Sequence, residues 1–153
     1  MSEAAHASNG YSPVHGFVRN PFDLNRNSGG SSSGTGAGIG SGMAPCGLGS
    51  DTMGSCRIPA MCCGGTGMRP SIGRYNPEGI LPCINDCDTP GPFGVTVADL
   101  ALLDSILSGL SGYSKLKPLE NFNGMKFGSP SDWMPENIAK ENKQAVELAI
   151  KAA

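Results

Sequence analysis

The sequence is short of the residues that build a large core or a strongly charged surface. Aromatic residues fill 6% of its 153 positions, with a single tryptophan, and charged residues fill only 16%. The formal net charge is −2. The chain therefore lacks the basic excess with which proteins neutralise phosphates, and no nucleic-acid partner is expected. No stretch reaches the roughly 18 consecutive apolar residues of a membrane span, so no membrane partner is expected either. The opening residues MSEAAHASNGYSPVHGF hold no basic run leading into an apolar one, which argues against a secretory leader. The shortage with the largest consequence is lysine: none occurs before Lys115.

Glycine and proline are abundant, at 23 and 12 residues, and concentrate in the first two thirds. Six cysteines are present: Cys46, Cys56, Cys62, Cys63, Cys83 and Cys87. Their spacing is irregular, no paired C-x2-C motifs occur, and His6 and His15 lie far off in sequence. This pattern favours reduced thiols over a disulfide framework or a zinc site, and with it a reducing, cytoplasmic setting.

Periodicity places the elements coarsely. Residues 29–67 mix glycine with small apolar residues and read as a small-residue helix and a short strand packed closely in an interior. Residues 68–95 read as loops and short extended pieces. A helix comes next, with Thr96 as N-cap, Asp99 three positions later, and Leu100, Leu103, Ile106, Leu107 and Leu110 on one apolar face, stopping near Gly109. GMKFGSP, residues 124–130, reads as a strand and turn. A last helix opens at Pro135 with Ile138, Ala145, Val146, Ala149 and Ile150 on a buried face. Alternating elements of this kind predict an α/β fold.

The glycine run needs a separate account. GGSSSG (Gly29–Gly34) has the glycine spacing of a phosphate-binding loop, but Thr35 stands where the lysine must be. No window fits G-x-G-x-x-G. A flexible linker would not account for the glycine-flanked serine that stands shortly after the run, in DTMGSCRIPA (Asp51–Ala60). Together these stretches resemble the amidase signature family, whose GGSSGG loop precedes DTGGSIRIPA by the same interval. VRNPFD (Val18–Asp23), GMRPSIGRY (Gly67–Tyr75), EGILPCINDCDTPGP (Glu78–Pro92) and TVADLALLD (Thr96–Asp104) extend the resemblance over nearly the whole chain. The wording is most similar to the indoleacetamide and mandelamide hydrolase branch.

The resemblance implies a fragment of one α/β/α fold, a mixed central sheet flanked by helices. Its signature core would lie at 18–104, followed by a strand and helix at 124–153. It further implies hydrolysis of a small-molecule amide through a Ser–cis-Ser–Lys triad, with no metal and no organic cofactor. Ser55 matches the acylated nucleophile, and Ser31 the bridging serine whose preceding peptide bond is cis. The backbone N–H groups of Thr52, Met53, Gly54 and Ser55 would face the oxyanion, and Ser32, Asp51 and Arg57 would support the loops. Each part answers a chemical need. A serine hydroxyl is a weak nucleophile without a base in contact, and a lysine can stand in for histidine in that role. Donors aimed at the developing oxyanion stabilise the transition state.

Two departures stand out. Met53 replaces a glycine of the nucleophile loop, which would be strained if that position requires positive φ. The lysine is missing: the family's lies some tens of residues before the bridging serine, and Arg19 and Arg26 cannot act as bases. Met1 is accordingly expected to be an internal methionine of a longer enzyme, and the chain alone to be nearly inactive. The rival expectation is a non-catalytic, partner-binding remnant.

Overall fold

The computed structural model describes residues 1–110, 121, 123–128 and 137–152. Its chain divides into two units, Met1–Leu116 and Lys117–Ala153.

The first unit is α/β. Two short antiparallel ribbons come first: β1 (Tyr11–Ser12) with β2 (Gly16–Phe17), and β3 (Arg19–Asn20) with β4 (Asp23–Asn27). The glycine run then gives α1 (Ser33–Gly40) and β5 (Cys46–Asp51), followed by α2 (Arg57–Cys62) and β6 (Thr66–Gly67). After a long connection come β7 (Thr89–Gly94) and α3 (Val97–Ser108). The strands β5, β7 and β6 form one sheet in that order, and every pairing in it is antiparallel.

α1 is a helix by packing rather than by propensity, because four of its eight residues, SGTGAGIG, are glycines. Its buried positions Ser33, Gly36 and Ile39 lie on one face, and small residues there let α2 come close. A Cβ added to Gly36 would stand 2.7 Å from Pro59 Cβ and 2.8 Å from Pro59 O. Gly36→Ala is therefore expected to destabilise the fold by about 1–3 kcal/mol, the usual cost of overpacking, read as a lowered thermal midpoint. The core is correspondingly small: Ile39, Cys56, Ala60 and Phe93, with Ala44 packed against it.

β7 is the largest departure from the expected elements, which left 68–95 without a full strand. Its residues TPGPFG contain two prolines, which cannot donate to a ladder. The strand nevertheless pairs with β5 in unbroken register from Cys46 opposite Gly94 to Asp51 opposite Thr89. On its other side β6 is only two residues long and opposes Phe93 and Gly94. There the Pro92 carbonyl accepts from Met68 N–H at 3.1 Å.

α3 begins as expected. Thr96 Oγ1 accepts from Asp99 N–H at 3.2 Å, and the Asp99 carboxylate accepts from Thr96 N–H at 2.7 Å. Gly109 closes the helix in the left-handed conformation at φ 68°. Its apolar face is only partly covered. Leu100 is buried, Leu103 and Leu107 are half-buried, and Ile106 and Leu110 are exposed. The same helix buries Asp104, whose carboxylate receives Arg74 Nε and Nη2 and the Tyr75 hydroxyl, each at 2.6 Å. This cluster ties the long connection to α3. Arg74 holds the Asp104 carboxyl below its ordinary range despite its burial. Burial and the Asp104 carboxylate push the Tyr75 hydroxyl up.

Two expectations fail in the second unit. Residues 124–128 form no strand, since no strand among the described residues pairs with them; 129–130 lie outside the described residues. Pro135, the expected start of the last helix, is also outside them, and α4 runs from Lys140 to Ala152. It has no buried residue. Val146 is half-buried, while Ala145, Ala149 and Ile150 are exposed. The apolar stripe is real, but among the described residues of its unit there is no second helix or strand to bury it against.

Candidate active site

Asp51 organises the site. It ends β5 fully buried and stands where the chain turns from strand to α2. Its Oδ1 accepts from Gly54 N–H at 2.7 Å and its Oδ2 from Cys56 N–H at 3.1 Å. Arg57 bridges the same carboxylate, Nε to Oδ2 and Nη2 to Oδ1, both at 3.1 Å. Burial works to raise the carboxyl pKa, but the Arg57 bridge and the two backbone donors outweigh it and hold the group below its ordinary value. A charged carboxylate thus pulls residues 51–57 into a closed loop, with Ser55 at its head.

Within that loop Gly54 has φ 120°, a backbone that favours glycine. Met53 is not among the residues of positive φ, and its side chain is 81% exposed. The strain foreseen for methionine does not arise, because the turn places its demanding conformation one residue later. Of the expected oxyanion donors, Gly54 N–H is committed to Asp51, since the buried carboxylate draws it inward. Met53 and Ser55 donate their N–H groups to no acceptor among the described residues. Thr52 is fixed from the side, its Oγ1 donating to Asp88 Oδ1 at 2.5 Å.

The serine loop meets this one directly. The Gly30–Ser31 peptide bond is cis. Ser32 N–H donates to the Ser55 carbonyl at 3.2 Å, which sets the two loops side by side. Ser32 does not cap α1 with its side chain; its Oγ bridges Ser50, donating to the carbonyl and accepting from the N–H, both at 3.3 Å. Ser31 is fully buried, and its carbonyl accepts from Ser2 N–H and Ser33 Oγ, both at 3.2 Å. Its own hydroxyl is the buried side-chain polar atom that has no hydrogen-bond partner among the described residues.

Two residues of this network could not be singled out from residue order. Arg69 reaches the Asp51 carbonyl, Asp51 Oδ1 at 3.4 Å, and the Cys87 carbonyl at 2.6 Å. Asp88 holds Thr52 on one oxygen and accepts from the N–H groups of Cys83 and Ile84 on the other. Both stand inside the motifs GMRPSIGRY and EGILPCINDCDTPGP, but their convergence on residues 51–52 depends on β5 lying beside β7.

A cleft of about 320 Å³ borders the network, lined by Ile72, Tyr75, Pro77, Ile80 and Pro90 with Asp88 at its polar side. Among the described residues no group of three or more His, Cys, Asp or Glu is disposed to hold a metal ion, and no helix is long and apolar enough to cross a membrane.

The chain is similar to known amide-processing proteins along its whole length. It is 39% identical over 145 residues to the glutamyl-tRNA(Gln) amidotransferase A subunit of Sulfurihydrogenibium sp., covering 88% of this chain and 30% of that protein. A crystal structure of an amidase superposes with a TM-score of 0.86 at 37% identity, covering 99% of this chain and 34% of the other. The glutamyl-tRNA(Gln) amidotransferase A subunit of Thermotoga maritima gives a TM-score of 0.67 at 38% identity, over 72% of this chain and 25% of the other. The chain thus spans about a third of the length of the relatives it matches. The Amidase family model matches residues 1–151, and the chain belongs to the amidase family.

Proposed function

We propose that this chain carries the serine pair of an amide hydrolase, and that the base completing it comes from a part of the enzyme beyond these 153 residues. The observation that carries the reading is the Ser31 hydroxyl, sealed from water beside the Ser55 loop with no partner among the described residues. A buried hydroxyl left unpaired costs about 1–3 kcal/mol. A lysine Nζ, absent before Lys115, would satisfy it.

The chemistry derives from the arrangement. Ser55 Oγ attacks the amide carbonyl carbon as its proton passes to Ser31 Oγ and on to the lysine. The oxyanion takes hydrogen bonds from the N–H groups of Met53 and Ser55, with Thr52 N–H beside them. Gly54 serves the loop's shape through Asp51 instead. The intermediate collapses to an acyl ester on Ser55 as the proton returns through Ser31 to the leaving nitrogen, and water then releases the acid.

The substrate is a small carboxylic amide. The motif wording favours an arylalkyl amide, whereas the amidotransferases among the relatives favour the side-chain amide of glutamine. Rates of the complete enzyme on the two amides separate them.

In the complete enzyme, denaturing mass spectrometry during turnover is expected to find the acyl group on Ser55. Acylation elsewhere overturns the assignment. Ser31→Ala is expected to slow acylation by about 10²–10⁴-fold, the range of a lost proton-transfer group. The 153-residue chain by itself should hydrolyse amides about 10⁴-fold more slowly than the complete enzyme, having lost one member of a cooperating set. The second reading, a non-catalytic partner-binding protein, draws on the uncovered apolar stripe of α4. A native protein near 15.7 kDa that hydrolyses no amide would favour it.

A further inference from the structure

We propose that Cys83 is an activated thiol, with His6 as its base, that reacts with small soft electrophiles. Residues 77 positions apart form the pair: His6 Nε2 lies 3.9 Å from Cys83 Sγ. The opposite ring nitrogen, His6 Nδ1, lies 2.6 Å from the Ala4 carbonyl oxygen. A carbonyl can only accept, so Nδ1 carries the hydrogen, and Nε2 of the neutral ring presents its lone pair to the thiol. The imidazole is exposed and Cys83 is half-buried, so a small reagent can reach the sulfur.

The other thiols lack this combination. Cys56 and Cys63 are fully buried, and burial pushes their thiols up to about 12 and about 11. Cys46 is exposed but has no base hydrogen-bonded to it among the described residues. The thiolate is the reacting form of cysteine, so a neighbouring proton acceptor sets Cys83 apart.

With an alkylating reagent such as iodoacetamide, the Cys83 proton passes to His6 Nε2 and the sulfur attacks the methylene carbon. The carbon–iodine bond breaks, iodide leaves, and the imidazolium returns its proton to water. The adduct would sit on the turn that steadies the candidate site. Cys83 N–H donates to Asp88, which holds Thr52, and the neighbouring Cys87 carbonyl anchors Arg69.

The test treats the 153-residue chain with substoichiometric iodoacetamide and follows each cysteine by peptide mass spectrometry. Cys83 is expected to react roughly tenfold faster than Cys46, because a proton acceptor stands beside its sulfur. His6→Gln, a change at an exposed position, should bring Cys83 down to the rate of Cys46 and leave Cys46 unchanged. In concentrated urea the native advantage of Cys83 should vanish. Equal rates in the folded chain, an undiminished rate in His6→Gln, or an advantage that survives urea would each overturn the proposal.

Discussion

Ser55→Ala in the complete enzyme is expected to lower kcat for amide hydrolysis by about 10⁴-fold or more, as removal of a nucleophile from a cooperating set does. The reason lies in what the alanine cannot do: no other hydroxyl stands at the head of the Asp51 loop to form the acyl ester. The change should leave the fold intact, because the Ser55 side chain makes no hydrogen bond among the described residues. The loop contacts run instead through its carbonyl, which accepts from Ser32 N–H at 3.2 Å. The comparison is therefore clean when steady-state kinetics are paired with circular dichroism and a thermal melt. A variant that retains more than about a hundredth of the activity with an unchanged melt would remove Ser55 from the nucleophile's role.

Asp51→Ala is expected to be strongly destabilising, by about 1–3 kcal/mol or more, the cost of leaving buried donors without their acceptor. The loss has three physical parts. Arg69, whose side chain is 23% exposed, would keep its charge with less to balance it. The N–H groups of Gly54 and Cys56 would lose their acceptor inside the fold. The closed loop bearing Ser55 would open, so activity should fall with stability. Urea unfolding of the native chain and the variant measures the first effect; a loss under about 1 kcal/mol would show that water or a neighbouring carbonyl can replace the carboxylate.

The same residue sets a pH dependence. The Asp51 carboxyl lies below its ordinary value of 3.8 in the folded chain. A depressed carboxyl stabilises the fold fully above the unfolded value, and that contribution is lost as pH falls through the lower folded value. Acid unfolding should therefore begin below about pH 4, and Asp51→Asn should flatten that part of the stability profile.

Much of the site could be read from residue order because its geometry is local. Gly54, Asp51, Arg57 and Ser55 stand within seven positions, so the contacts that bind them into a loop run over three to six residues. Thr96, Asp99 and Gly109 declare a helix start and stop by side-chain chemistry alone. β7 was hidden for the opposite reason. Pro90 and Pro92 speak against a central strand, and only the shortness of β6 makes them admissible. Met53 shows the same limit on a smaller scale, since a loop's sequence does not say which of two neighbouring residues takes the positive φ.

Residue order by itself determined the family, the two serine loops and the absence of a lysine before Lys115, because these depend on which groups occur at which interval. Tertiary structure alone decided that Arg69 and Asp88 brace the Ser55 loop and that His6 meets Cys83. Those facts rest on strands and loops brought together across 18 to 77 positions. Where such segments meet depends on which surfaces exclude water together, and no local spacing encodes that.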